Sequence, residues 1–340
     1  MKKILAVLTV LLLVGSLLFA GGSKEKPAEA KKFTLRVGHT LTDDSHYGVG
    51  LAKLAELAKQ KSNGTIEIQA FGNSKLGNER DLIEGVSLGT VEMCLTSTGP
   101  LPNFSKAFMV FDLPFIVQDR NKFYPILDGE TGQKMLEALG SKGIKGIVFF
   151  ENGFRHITNS KRPINVPDDL KGLKIRTVET PLDVSTMTYM GAIGTPIAWS
   201  ECLIGLKQGT VDGISTTYGL GYHLKLYELA KFASQTNHYY ETAPLIMSKK
   251  LFDSFSPEEQ RMIKETAAQA LLWSRKEQAK FEGKAQGLLE EKGVKVNSLS
   301  QEAFEEFREK TKPVYEQFRP KIGGEFMDEV FAFIKTLRKK

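Results

Sequence analysis

The longest unbroken pattern in the chain opens at Ser256-Pro257-Glu258-Glu259. A serine cap, a proline at the first helical position and a glutamate at the third form a strong helix start. An amphipathic helical pattern then continues to about Glu291. At 1.5 Å per residue such a helix is ~50 Å long. That exceeds one small domain, so the helix is expected to lie as a strut along two bodies, with Gly283 as the point for a kink. A chain of 340 residues is long enough for two domains of ordinary size.

The rest of the chain alternates strand and helix. Phe33 to His39 alternates apolar and polar residues and reads as a first strand. Gly48 to Lys61 carries an apolar face, and Thr65 to Ala70 is a second strand. Strand, helix and strand at this spacing imply a βαβ unit. Asn78 caps a helix opening Glu79-Arg80-Asp81, with acids where the helix dipole favours them, and Gly89 ends it. Val91 to Ser97 follows as a strand, with Ser97-Thr98-Gly99 at its carboxyl end, where open α/β sheets bind ligands. Phe111 to Val117 contains Pro114 and reads as an edge or connecting piece. A helix over Gly132 to Leu139 leads to a strand at Lys145 to Phe150.

Gly153 opens a second alternating block: strands at Phe154 to Thr158, Leu173 to Val178, Thr195 to Trp199 and Val211 to Ser215. Between them lie a helix ended by Gly191 and one capped by Ser200. Tyr218 to Glu228 reads as a helix. Phe232 to Tyr240 and Thr242 to Ser248 read as two more strands, the second returning to the first body. Val294 to Leu299 and two terminal helices complete the chain. The expected fold is α/β: mixed sheets flanked by helices, in two domains with a cleft between them.

The N-terminus stands apart. Met1-Lys2-Lys3, an apolar run from Ile4 to Phe19, and Ala20-Gly21-Gly22 have the layout of a signal peptide cleaved after Gly22. Its removal takes two lysines, so the net charge falls from +6 to 6 − 2 = +4. Residues 23–32 read as a disordered lead. Charged residues make up 25% of the chain without a basic stripe, which argues against a nucleic-acid partner. Cys94 and Cys202 are expected as free, buried thiols.

No phosphate-binding glycine loop, zinc-protease helix or nucleophile elbow occurs, and the five histidines lack metal-ligand spacing. Neither cofactor nor metal is expected. Arg155 and Arg176 remain. A guanidinium offers a planar fork that matches a carboxylate and stays charged. By pattern alone each arginine fits a solvated strand residue or an internal salt bridge as well as a ligand anchor. Trp199 fits core as well as a stacking wall.

LGNERDLIEGVSLGTVEM, DLKGLKIR, GAIGTPIAWSE, LKQGTVDG and ELAKFASQTNH occur in that order. Together they resemble the periplasmic solute receptors of tripartite ATP-independent periplasmic (TRAP) transporters, the dicarboxylate-binding DctP type, over residues 33 to 320. The resemblance implies a hinge-closing receptor, not an enzyme. It implies domain I from 33–152 and 242–281, and domain II from 153–241 and 282–340. It assigns the ligand carboxylate to Arg176, an assisting role to Arg155, and pocket positions to Thr40, Glu79, Ser97, Trp199 and Thr216, with Thr98 as a further neutral hydrogen-bonder. Its partners would be a small organic acid and the small and large integral membrane subunits of a transporter, with the receptor monomeric and periplasmic. One departure stands out. Family members often read QEN after VDG, whereas this chain reads Ile214-Ser215-Thr216. With Glu179 adding negative charge, this weakens the expectation of a plain dicarboxylate. An exported hydrolase or lyase, and a receptor feeding a sensor, are the other expectations the sequence leaves open.

Overall fold

The computed structural model describes residues 32–338. The signal peptide expected at 1–22 and nearly all of the lead lie outside the described residues. From Phe33 onward the chain forms one contiguous unit.

Among the described residues, nine strands form a single mixed sheet. They are β1 (Phe33–Gly38), β2 (Ile66–Phe71), β3 (Met93–Leu95), β4 (Ile144–Asn159), β5 (Lys174–Thr177), β6 (Ile193–Pro196), β7 (Gly213–Thr216), β8 (Phe232–Ser248) and β9 (Lys295–Ser298). The order is β2-β1-β3-β8-β4-β7-β5-β6, with β9 beside β8. β1 is parallel to β2 and β3, and β5 is parallel to β6 and β7. β3 is antiparallel to β8, β8 to β4, and β4 to β7. Three successive reversals make the two parallel groups point in opposite directions. Their carboxyl ends therefore converge over the middle of the two long strands.

Those long strands differ from expectation. The segments read as separate strands on either side of Asn152-Gly153 are one 16-residue strand. Those on either side of Glu241 are one 17-residue strand. Asn-Gly is a common turn signal, but here it forms a bulge: the register shifts between Glu151 and Gly153, and Gly153 takes φ +110°, which suits glycine. Glu241 faces Gly153 across the ladder at the same point.

Helices pack on both faces. In chain order they are α1 (His46–Lys61), α2 (Glu79–Leu88), α3 (Arg120–Asp128), α4 (Glu130–Ala138), α5 (Pro181–Met190), α6 (Cys202–Lys207), α7 (Tyr218–His223), α8 (Lys249–Asp253), α9 (Pro257–Glu291), α10 (Gln301–Ile322) and α11 (Gly324–Arg338). Asn78 and Asp81 close a capping box on α2, and Gly89 ends it in the left-handed region, as the sequence implies. α3 has no counterpart in the sequence reading, because Pro125 interrupts its pattern. Ser200 is exposed within a single 3₁₀ turn, Trp199–Glu201, and does not cap α6.

The strut is present. α9 is continuous for 35 residues, through Gly283, with Ser256 and Glu259 forming its capping box. Its buried positions recur at three- and four-residue intervals from Ile263 to Gln278, and again at Ala285 and Leu289. Along its length it packs on α1 and β4 and then on α7 and β9, so it touches both halves of the sheet. Cys94 and Cys202 are buried and unpaired, as expected.

Candidate functional site

A cavity lies where the two sets of strand ends converge. It is lined by Thr40, Leu41, Tyr47, Glu79, Ser97, Asn152, Arg155, Arg176, Val178, Trp199, Thr216, Leu220 and Glu241. About 340 Å³ of its space is unfilled by atoms. A second hollow continues outward past Thr40, Leu41, Trp199 and Leu220, so the cavity opens to solvent on that side.

The wall from the first half of the sheet is acidic and polar. Glu79, the first residue of α2, folds back to the end of β3. Its carboxylate accepts the Ser97 backbone N–H at 2.6 Å, the Ser97 hydroxyl at 3.0 Å and the Thr96 hydroxyl at 3.2 Å. β3 ends at Leu95 rather than Ser97, although the Thr96 and Thr98 N–H groups still donate to the Pro244 and Thr242 carbonyls of β8. Burial pushes the Glu79 pKa up, and the Ser97 backbone N–H only partly offsets it. Ser97 is thus committed to holding Glu79. Tyr47 Oη has no hydrogen-bond partner among the described residues, although it is buried in the cavity wall.

The opposite wall carries the arginines. Arg176 is the third residue of β5, and its neighbours Ile175 and Thr177 point to the other face. Its guanidinium carbon lies 5.6 Å from the Trp199 ring centroid, within cation–π range. Among the described residues only its Nε is engaged, donating to the Ile197 carbonyl at 2.8 Å. Nη1 and Nη2 remain available as a fork on the cavity side. Trp199 packs against apolar clusters from both halves of the sheet. Thr216 Oγ1 is buried without a partner among the described residues.

Arg155 is different. It sits on β4 just past the bulge, 4% exposed. Nε donates to Ser215 Oγ at 3.1 Å, Nη2 to the Ser215 carbonyl, and Nη1 to Glu241 Oε1 at 2.8 Å. Burial alone would lower its pKa, but Glu241 and Asp183 outweigh that and raise it. The other Glu241 oxygen accepts from Asn152 Nδ2 at 3.0 Å. Asn152 Oδ1 in turn meets His46 Nε2 at 2.7 Å. Burial lowers the His46 pKa to about 4, so the ring is neutral at pH 7 and donates from Nε2. Behind Arg155, burial also holds His238 well below its ordinary value. It accepts at Nε2 from Ser215 Oγ, 2.8 Å away, which leaves that oxygen able to accept from Arg155.

Of the sequence-derived candidates, Arg176, Arg155, Trp199, Thr216, Ser97, Glu79 and Thr40 all line this cavity. Thr98 does not: its hydroxyl donates to Asp112 at 2.6 Å, away from the lining. Glu179 is exposed and also outside it. Leu41, Tyr47, Asn152, Val178, Leu220 and Glu241 were missed. Glu241 had a signal, since it is a lone acid in the apolar run from Tyr239 to Met247 and so demands a partner. Asn152 had none, because Asn-Gly reads as a turn.

The model of the bacterial extracellular solute-binding proteins of family 7, DctP, matches residues 37–321. A solute-binding protein of Verminephrobacter eiseniae is 34% identical over 301 residues, 88% of this chain and 89% of its own. The sugar acid binding protein DctPAm of Advenella mimigardefordensis, solved with galactonate, superposes with a TM-score of 0.88 at 34% identity, covering 91% of this chain and 100% of that one. A TRAP periplasmic solute-binding protein of Polaromonas sp. JS666, solved with D-erythronate, gives a TM-score of 0.85 at 34% identity, covering 88% and 99%.

Proposed function

The chain belongs to family 7 of the bacterial extracellular solute-binding proteins, and from that premise we propose that it is a receptor for a small polyhydroxylated monocarboxylate. Arg176 takes the carboxylate through its two terminal nitrogens. Trp199 covers the guanidinium from one side, which keeps water off the contact and strengthens it. Glu79, Tyr47 and Thr216 face the rest of the ligand. A carboxylate acceptor and two hydroxyls suit ligand hydroxyl groups, and the similar proteins solved with galactonate and D-erythronate bind acids of that kind.

The observation that carries this proposal is the inequality of the two arginines. One offers an open fork, while the other is already neutralised. Closure would bring residues 33–152 with 242–281 towards 153–241 with 282–340, flexing where β4 and β8 cross at Asn152-Gly153 and Glu241. The closed form is what TRAP membrane subunits would read before ion-gradient-driven uptake. Such a protein is exported and releases its ligand chemically unchanged, in contrast to a hydrolase or lyase.

The test is a thermal-shift and calorimetric titration with galactonate, D-erythronate and succinate, beside Arg176→Ala. A ligand at 100 times its dissociation constant adds about 2.7 kcal/mol to the folded state. A shift with the hydroxy acids that disappears in the variant, with the acid recovered intact by mass spectrometry, supports the assignment. Equal titrations of wild type and variant refute it.

A further inference from the structure

Glu241 reaches the cavity from the middle of β8, directly across the ladder from the bulge in β4. Both of its carboxylate oxygens are occupied, one by Arg155 and one by Asn152. Neutral His46 fixes the Asn152 amide so that its NH₂ faces Glu241. Arg155 is held equally firmly, with all three nitrogens donating, two of them to Ser215. The ion pair is thus locked in place within the cavity wall.

We propose that Glu241 is the specificity residue for ligand charge: by neutralising Arg155 it leaves one open guanidinium and excludes acids that carry a second carboxylate. This rests on the carboxylate-receptor assignment above. Four charged side chains line the cavity, two arginines and two glutamates. A monocarboxylate on Arg176 meets one unspent positive charge. A second carboxylate on the same ligand would approach Arg155 and find Glu241 already there, with Glu79 on the facing wall. Like charges in a water-poor cavity repel strongly, and no remaining fork would offset the lost hydration. Removing the Glu241 charge would release Arg155 Nη1 and create a second anchor.

Galactonate and galactarate are a suitable pair of probes, because they share a carbon chain and differ by one carboxylate. In wild type, galactonate should bind at least 100-fold more tightly than galactarate. In Glu241→Gln, the amide keeps the shape and the ratio should narrow by 10-fold or more, through tighter galactarate binding. Galactarate should also raise the melting temperature of this variant more than galactonate does. In the double variant Arg155→Met, Glu241→Met, which lacks both charges, the ratio should return towards that of wild type. If Glu241→Gln does not fold, Glu241→Asp serves: its shorter carboxylate withdraws from Arg155, and the ratio should narrow by a smaller factor. A folded single variant with the wild-type ratio overturns the proposal, as does a double variant that also gains galactarate binding. Wild type that binds galactonate beside an unresponsive variant refutes this inference alone. Wild type that binds no carboxylate refutes the receptor assignment with it.

Discussion

Arg155 and Arg176 lie on strands of the same sheet and face the same cavity, yet their surroundings set them to different work. Arg176 stands at the carboxyl end of a short parallel strand, where the ladder stops and only a carbonyl reaches it. Arg155 stands inside the antiparallel crossing, where four side chains from α1, β4, β7 and β8 fill its surroundings. The difference lies in the side chains each meets: Ser215 and Glu241 satisfy Arg155, whereas the Arg176 guanidinium meets only the Ile197 carbonyl among the described residues.

The largest effect should come from breaking the crossing. Arg155→Met leaves Glu241 and Asn152 buried beside an apolar group, and loss of one member of a buried pair costs about 3–5 kcal/mol. Chemical denaturation should show a fall of that order, while Arg176→Met should change stability far less. The second effect lies at the other arginine. Arg176→Lys keeps the charge but loses the fork. Galactonate affinity should fall by roughly 100-fold, about 2.7 kcal/mol, with an unchanged melting curve of the ligand-free protein. Third, Trp199→Ala removes the ring over Arg176, and affinity should drop by roughly 10-fold, in line with a desolvated cation–π contact. A smaller loss would make Trp199 a packing residue only.

The last effect is a pH dependence at the crossing, in which Glu282 takes part. Glu282 on α9 accepts from Gly219 N at 3.1 Å and from Gln278 Nε2, which also donates to the Asn152 carbonyl. Burial pushes the Glu282 carboxyl up from its ordinary 4.5 to about 7; Arg120 and the Gly219 N–H work against the rise, and Glu151 adds to it. The folded state therefore holds this proton more tightly than the unfolded chain. Stability from this group is greatest at or below pH 4.5 and is lost as pH rises towards 7. Glu282→Gln should flatten that slope between pH 4.5 and 7 in urea titrations. A slope identical to wild type would remove Glu282 from the account.

Much of this was visible in the residues. Helix α2, with its Asn78 cap and Gly89 end, and the long helix from Ser256 were readable because capping is local chemistry. Arg155 and Arg176, which the cavity brings together, were likewise legible as candidates. What escaped is non-local. Whether Asn152-Gly153 turns or bulges depends on β8, some ninety positions away. That Arg155 is spent and Arg176 is not follows from which strands pair with which, and no window of sequence contains that. Thr98 and Glu179 were misplaced for the same reason: adjacency to a pocket residue does not fix which way a side chain turns when the strand ends.

The two long strands have one more consequence. Each half of the sheet is completed by a stretch of chain that began in the other half, once through β4 and once through β8. Neither half can be inherited as a unit. A recombination that exchanged residues 153–241 for those of a relative would import Arg155 and Glu241 together but leave behind Asn152, the other partner of Glu241, because both seams run through the crossing. Lineages with this connectivity are therefore expected to change ligand by point substitution around the crossing rather than by swapping lobes.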